Sequence, residues 1–211
     1  MIPLFFVISV ILIVGIIGGI SGILWFRQHK RFLAMTHYNK GVSSLQAGDG
    51  EKAITEFTAA LQRQHTHTGA RYGLGLAYLK QQRYRESLPL LERAVKEMPR
   101  DAIALCNLGW AKLNTGKLDQ AQHLLEKALQ VNPALKEVYF TLGSVYKDRG
   151  DRELATNYYR QALQIDAGYS HAQKALEELS QIQYETPVDM GLIRKAMQHF
   201  DHQDTEFMIR L

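Results

Sequence analysis

The sequence has a single cysteine, Cys106, among its 211 residues. One cysteine excludes a disulfide within the chain and any metal or redox site built from paired cysteines. Aromatic residues make up only 9% of the chain, whereas hydrophobic residues make up 46%. This composition is typical of packed helices and argues against a disordered protein.

The chain also lacks the motifs of the common catalytic sites. It contains no phosphate-binding loop, dinucleotide-binding glycine motif, nucleophile elbow or zinc-protease motif. The histidines are scattered, and those with neighbouring candidate ligands are His65 and His67, then His199 and His202. His199 and His202 lie beside Asp201 and Asp204, and we interpret these four tail residues as solvated side chains and not as metal ligands. The sequence therefore predicts no enzyme, no cofactor and no metal site.

Excess charge is small and concentrated in one place. The formal net charge is +4, and Arg27, Lys30 and Arg31 supply three positive charges in one short stretch. Nucleic-acid binding would need a basic stripe along one face of the folded domain. The remaining sequence has no such stripe, so no nucleic-acid partner is expected.

The amino-terminal stretch has no charge at all, since residues 2–26 contain no Asp, Glu, Lys or Arg. As a helix rising about 1.5 Å per residue, this stretch is long enough to cross a bilayer. It lacks the positively charged start of a signal peptide, although cleavage after its small residues is the alternative. We predict a single-pass transmembrane anchor at residues 1–26 and a basic juxtamembrane segment at 27–35. By the positive-inside rule, the rest of the chain then faces the cytoplasm.

Two pairs of glycines lie four residues apart within the predicted anchor. Gly15 pairs with Gly19, and Gly18 pairs with Gly22. Such spacing lets a neighbouring membrane helix approach closely, from a partner or from a second copy of the chain. The alternative is that these residues only reflect the high glycine content of membrane helices.

Beyond the anchor, a unit of 34 residues repeats four times. Its clearest markers are Gly41, Gly75, Gly109 and Gly143. Small residues recur in phase at Ala53, Ser87, Ala121 and Ala155, and at Ala60, Ala94, Ala128 and Ala162. Bulky residues lie between them, at Phe57, Leu91, Leu125 and Tyr159. At helical period each unit predicts two helices that approach closely at the small residues.

This pattern resembles the tetratricopeptide repeat, whose glycine, two alanines and late proline it matches. The repeats fall at about 34–67, 68–101, 102–135 and 136–169, with Pro99 and Pro133 closing the second and third. The first repeat departs at Lys40, where leucine is usual, and at His65, where proline is usual. The resemblance implies an all-α fold, a right-handed α-solenoid of four helix pairs over residues 36–169, preceded by the one transmembrane helix.

After the last repeat, residues 170–185 have apolar residues on one side and polar residues on the other. A stack of repeats leaves its last apolar face open, so we predict that this segment forms a capping helix. Residues 186–211 then predict a carboxy-terminal amphipathic tail that either packs on the repeats or binds another protein.

The resemblance also implies where a partner binds, because the first helix of each repeat lines the family's concave groove. The groove positions in this sequence are Tyr38, Val42, Leu45, Tyr72, Leu76, Leu79, Cys106, Trp110, Leu113, Phe140, Ser144 and Lys147. Most of these residues are apolar or aromatic, which favours an apolar or aromatic peptide or helix as the ligand. Some relatives bind acidic chaperone tails through lysine and asparagine, but Tyr38 and Val42 hold those positions here.

The combination predicts a membrane-anchored scaffold that binds segments of partner proteins and assists assembly of a membrane protein complex. The arrangement looks like that of bacterial and plastid anchored repeat proteins, including photosystem I assembly proteins. We therefore expect a bacterial inner membrane or a thylakoid-like membrane. One alternative is the cytochrome c biogenesis group, whose repeats hold an apocytochrome in the periplasm. Another is a permanent structural subunit of a larger complex.

Overall fold

The computed structural model describes the backbone of residues 4–185 and the side chains of residues 18–181. Over this part of the chain the secondary structure is entirely helical, and the helices number nine. They are α1 (Leu4–Gln46), α2 (Gly50–Arg63), α3 (Thr68–Lys80), α4 (Tyr84–Glu97), α5 (Ala102–Leu113), α6 (Leu118–Val131), α7 (Lys136–Asp148), α8 (Arg152–Ile165) and α9 (Ser170–Glu185).

The helices pack as successive pairs along the chain. The carboxy-terminal part of α1 pairs with α2, then α3 with α4, α5 with α6, and α7 with α8. The second helix of each pair also contacts the first helix of the next pair, and α8 contacts α9 in the same way. The predicted all-α solenoid of repeated helix pairs is therefore confirmed.

Each pair is held by a close contact between a repeating glycine and the bulky residue sixteen positions later. A methyl group on the glycine would lie 2.7 Å from Phe57 at Gly41, 2.8 Å from Leu91 at Gly75, 3.0 Å from Leu125 at Gly109 and 2.5 Å from Tyr159 at Gly143. These four bulky side chains are at most 1% exposed. Glycine is thus required because any side chain would push the two helices apart.

At each end of the stack, one position of the repeat holds an exposed charged residue where the interior repeats have an apolar or small residue. Leu74, Leu108 and Leu142 are buried against the second helix of the preceding repeat. The equivalent residue of the first repeat is Lys40, which is exposed because no repeat precedes it. At the other end, Glu177 of α9 occupies the register of the repeating glycines and is also exposed. Both substitutions solvate a face that would otherwise be open and apolar.

Helix α1 is unusually long and joins the predicted juxtamembrane segment to the first repeat. It runs from Leu4 to Gln46 without interruption, and residues 23–40 contain neither glycine nor proline. Residues 18–32 are exposed, and Ala34 is the first buried side chain of the described part. Residues 27–35 are therefore turns of the same helix that packs in the first repeat, and no flexible linker separates them.

Part of the predicted anchor and the whole of the predicted tail lie outside the described residues. The side chains of residues 1–17, with Gly15, and the tail at 186–211, with His199 and His202, belong to these undescribed parts. Within the described residues, the structure contains no helix with the length and apolar character needed to span a bilayer. A methyl group added at Gly18, Gly19 or Gly22 would meet no atom within 4 Å beyond the neighbouring backbone of α1.

Equivalent turns close the four helix pairs, and each needs a residue with a positive φ. Gly48, Gly116 and Gly150 have φ of 82°, 74° and 83°, and Gln82 takes the same place in the second repeat with φ of 59°. The next residue donates its backbone N–H to the carbonyl five positions earlier, as Arg83 does to Tyr78 at 2.9 Å. In this left-handed region the Cβ of glutamine is sterically strained, whereas glycine has no Cβ.

Replacing Gln82 with glycine is therefore expected to stabilise the fold by about 0.5–1 kcal/mol. The matched change, Gly116→Gln, should destabilise it by a similar amount because it introduces the same strain. Thermal unfolding of the full-length protein in detergent, followed by circular dichroism, measures both effects. A lower melting temperature for Gln82→Gly would contradict this account of the turn.

Candidate peptide-binding site

Four aromatic rings gather around Phe140, on the first helix of the fourth repeat. The Phe140 ring centroid lies 6.0 Å from Trp110 on α5, 5.6 Å from Tyr159, 5.7 Å from Tyr169 and 5.9 Å from His171 on α9. Tyr169 and His171 meet it edge-on, an arrangement that aromatic pairs favour. We call Phe140 and these four residues the Phe140 cluster.

Two cavities open on either side of the Phe140 cluster, and Trp110, Phe140 and His171 line both. The first, which we call the Ser144 cavity, has a volume of about 310 Å³. Its wall also includes Leu113, Asn114, Ser144, Lys147, Asp148, Tyr159, Lys174, Ala175 and Glu178. The second, the Cys106 cavity, has a volume of about 270 Å³ and is also lined by Cys106, Asn107, Glu137, Thr141 and Tyr169.

The two cavities offer different chemistry to a bound segment. The Ser144 cavity carries charges of both signs, and Lys147 Nζ lies 3.8 Å from Glu178 Oε2. The Cys106 cavity is lined by four aromatic rings and a thiol, with Asn107, Glu137 and Thr141 as its polar side chains. Each volume suits one large side chain, so a peptide could place two nearby apolar or aromatic residues on either side of Phe140.

Burial keeps the Cys106 thiol and the Tyr169 hydroxyl of the Cys106 cavity neutral. It raises the pKa of the Cys106 thiol to about 12, and the thiol sulfur lies 3.9 Å from Thr141 Oγ1. Burial likewise raises the pKa of Tyr169 to about 12. A thiol that stays protonated is a poor nucleophile and a poor metal ligand, so Cys106 contributes packing and not reactivity.

The predicted groove residues divide into two sets by their surroundings. Six of them line the two cavities, namely Cys106, Trp110, Leu113, Phe140, Ser144 and Lys147. Among these, Cys106, Leu113 and Ser144 are mostly buried, so only part of each side chain faces the cavity. The structure thus gathers the carboxy-terminal half of the predicted groove into one site.

The other six predicted residues come from the first two repeats and are half-buried. Tyr38, Val42 and Leu45 pack on the core shared by α2 and α3. Tyr72 and Leu79 pack on the core between α4 and α5, and the Tyr72 hydroxyl accepts a hydrogen bond from Asn107 Nδ2 at 2.7 Å. Burial raises the pKa of Tyr72 to about 12. Leu76 is half-buried as well.

Sequence reasoning missed the contribution of the segment after the fourth repeat. Lys174 and Glu178 stand 34 residues after Phe140 and Ser144, so α9 continues the register of the groove-lining helices. Extending the repeat by one more helix would have found both residues. Tyr169 and His171 had no such signal, because Tyr169 directly precedes α9, His171 lies in its first turn, and both reach Phe140 only through the fold.

Metal binding has no support within residues 18–181. This part of the chain contains no group of three or more His, Cys, Asp or Glu side chains that could hold a metal ion. The imidazole of His67 caps α3, since its Nδ1 accepts the Ala70 N–H at 3.1 Å, whereas the His65 side chain is exposed.

Comparison with known proteins identifies the repeat. Two family models, both described as tetratricopeptide repeat, match the chain, one at residues 44–105 and 78–142 and the other at residues 136–169. A search of curated proteins found no match.

Several solved structures are similar to this chain. MamA from Desulfovibrio magneticus RS-1 is 26% identical with a TM-score of 0.59, and the alignment covers 64% of this chain and 77% of that one. TTC0263, a thermophilic repeat protein of Thermus thermophilus, is 24% identical with a TM-score of 0.61, covering 78% of this chain and 97% of that one. YrrB, described as having an unusual peptide-binding site, is 22% identical with a TM-score of 0.62, covering 76% of this chain and 88% of that one.

The burial of Cys106 leads to a direct test of the Cys106 cavity. Because burial raises its pKa, Cys106 should react with Ellman's reagent at pH 8 at least about a hundredfold more slowly than an exposed cysteine. The rate should still be rising with pH at about pH 10, since the folded thiol ionises only near its raised pKa. The same protein in guanidinium chloride supplies the control, and fast reaction of the folded protein would contradict the burial.

Proposed function

Because residues 44–169 belong to the tetratricopeptide repeat family, we propose that this chain is a membrane-anchored scaffold that binds peptide or helix segments of partner proteins. Its role is the assembly or stabilisation of a membrane protein complex. The observation that carries the proposal is the Phe140 cluster, with a cavity on each side, in a stack whose α1 begins in an uncharged segment.

The ligand follows from the chemistry of the site. Aromatic residues dominate binding energy in protein interfaces, and Trp110 and Phe140 are half-buried and shared by both cavities. An apolar or aromatic segment would fill the Cys106 cavity. Polar groups of the same segment would meet Lys147, Lys174 and Glu178 in the Ser144 cavity. The peptide-binding site described for YrrB supports the same class of ligand here.

The proposed anchor determines which partner segments the groove can meet. Residues 2–26 are uncharged, and α1 continues from them into the first repeat without a break. An anchored groove meets only segments close to the bilayer, so tethering raises the effective concentration of membrane-bound partners. The basic residues that follow the uncharged stretch favour a cytoplasmic repeat domain in a bacterial inner membrane or a thylakoid-like membrane.

Photocrosslinking in native membranes tests this proposal. A photoreactive amino acid at Lys174, an exposed position on the wall of the Ser144 cavity, should crosslink to a subunit of a membrane complex. The Phe140→Ala substitution should lower the yield about tenfold, because it removes the ring that both cavities share.

The matched controls lie away from the cavities on the second helices of the repeats. The same photoreactive residue at Lys127, exposed on α6, should give no such product, and Leu154→Ala on α8 should leave the Lys174 crosslink unchanged. Equal yields from the parent protein and a Phe140→Ala variant of the same stability would refute a role for the site. Capture of an apocytochrome would instead favour the periplasmic alternative, and a product of fixed stoichiometry would favour a permanent subunit.

A further inference from the structure

A short segment of α1 between the uncharged stretch and the first repeat is exposed on all sides. We call residues 25–32 the collar. Trp25, Phe26 and Phe32 are 66%, 52% and 67% exposed, which is unusual for large aromatic residues on one helix. Trp25 stacks on His29 at 5.2 Å, and Lys30 Nζ lies 4.6 Å from the centre of the Phe26 ring. Nothing in the described part of the chain covers these rings.

The collar has two faces of different chemistry. Arg27, Lys30 and Arg31 follow the i, i+3, i+4 spacing of one helix face. Trp25, His29 and Phe32 follow the i, i+4, i+7 spacing of another, as the stacking of Trp25 on His29 agrees. One side of the helix is therefore basic and the other is aromatic.

The basic face lies on the same side of α1 as the repeats. Arg27, Arg31, Ala34, Tyr38 and Gly41 are separated in turn by four, three, four and three residues, which keeps them on one face. Ala34 is buried, and Gly41 and Tyr38 contact α2 through Phe57. The positive charges therefore lie on the side of α1 that packs against α2, in the turns that precede the first repeat.

The two carboxylates near this end of the first helix pair are already paired, since Glu97 of α4 contacts Thr68 and Arg71 and Glu56 Oε2 lies 2.7 Å from His37 Nδ1. The chain contains no acidic residue before Asp49 and none between Glu56 and Glu86. Because α2 runs back along α1, the turn that follows it, with His65 and His67, lies at the collar end, as the 4.9 Å separation of the Tyr38 and His67 rings shows. Arg63 ends α2 at the same place. Collar and turn together place basic residues and histidines at one end of the first helix pair, beside the ion pair of Arg71 and Glu97.

We propose that the collar and this turn bind the anionic headgroups of phospholipids and so seat the first repeat on the bilayer surface. The inference rests on the proposed anchor. The helix rises about 12 Å between Phe26 and Ala34, which is enough to cross the headgroup layer of one leaflet. Exposed aromatic rings favour the membrane interface, and juxtamembrane basic clusters attract anionic lipids. The partner segment that reaches the groove is then held at the same surface.

Fluorescence quenching by brominated lipids tests the inference on the full-length chain. Trp25 and Trp110 are the two tryptophans, so Trp110→Phe leaves Trp25 as the only strong emitter. The protein is placed in vesicles of phosphatidylcholine and phosphatidylglycerol in two preparations that differ only in which lipid carries bromine. Quenching should be at least about twofold stronger when phosphatidylglycerol carries it.

Two triple variants with the same net charge distinguish an effect of the collar from an effect of net charge. Changing Arg27, Lys30 and Arg31 to glutamine should make the two preparations quench equally. Changing Lys40, Lys52 and Lys80 to glutamine removes the same charge outside the collar and should preserve the preference. Equal quenching of the Trp110→Phe protein by both lipids would refute headgroup selection while leaving the anchor intact. Absence of quenching by either lipid would overturn the anchor as well.

Discussion

The contact between each repeating glycine and the bulky residue sixteen positions later is the constraint on which the structure depends. At Gly143 a methyl group would lie 2.5 Å from the Tyr159 ring, so that ring packs directly on the backbone of α7 where the side chain is missing. Four such contacts fix the geometry of the four helix pairs. The second helix of each pair then receives the next repeat through buried residues such as Leu108 and Leu142. Each glycine contact therefore fixes the position of the helix on which the next repeat packs.

The site and the proposed anchor lie at opposite ends of this stack and are connected by it. Phe140 packs against Tyr159, which is the bulky partner of Gly143, so the aromatic cluster is built directly on the core contact of the fourth repeat. Gly41 and Phe57 make the equivalent contact on α1, the helix that carries the collar. The groove is thus positioned relative to α1 by packed helices alone.

Sequence periodicity predicted the helix pairs because the 34-residue register marks which positions meet within and between repeats. The same register could not predict how exposed each groove side chain is. Cys106 and Trp110 are one turn apart on α5, but Cys106 is buried and Trp110 is half-exposed. The register also missed Tyr169 and His171, which reach Phe140 from the end of the fourth repeat and the start of α9. The continuity of α1 follows from the lack of a helix breaker between Gly22 and Gly41, whereas composition alone had suggested a separate juxtamembrane segment.

The central claim is that the collar and the first helix of the first repeat are one rigid helix, α1. Spin labels at Gln28 and Gln46, exposed positions on either side of Ala34, measure this directly in lipid vesicles, with Cys106 replaced by alanine. The helix between the two positions separates the labels by about 27 Å, so pulsed electron paramagnetic resonance should give one narrow distance distribution near that value. A broad distribution, or one centred at much shorter distances, would contradict the account.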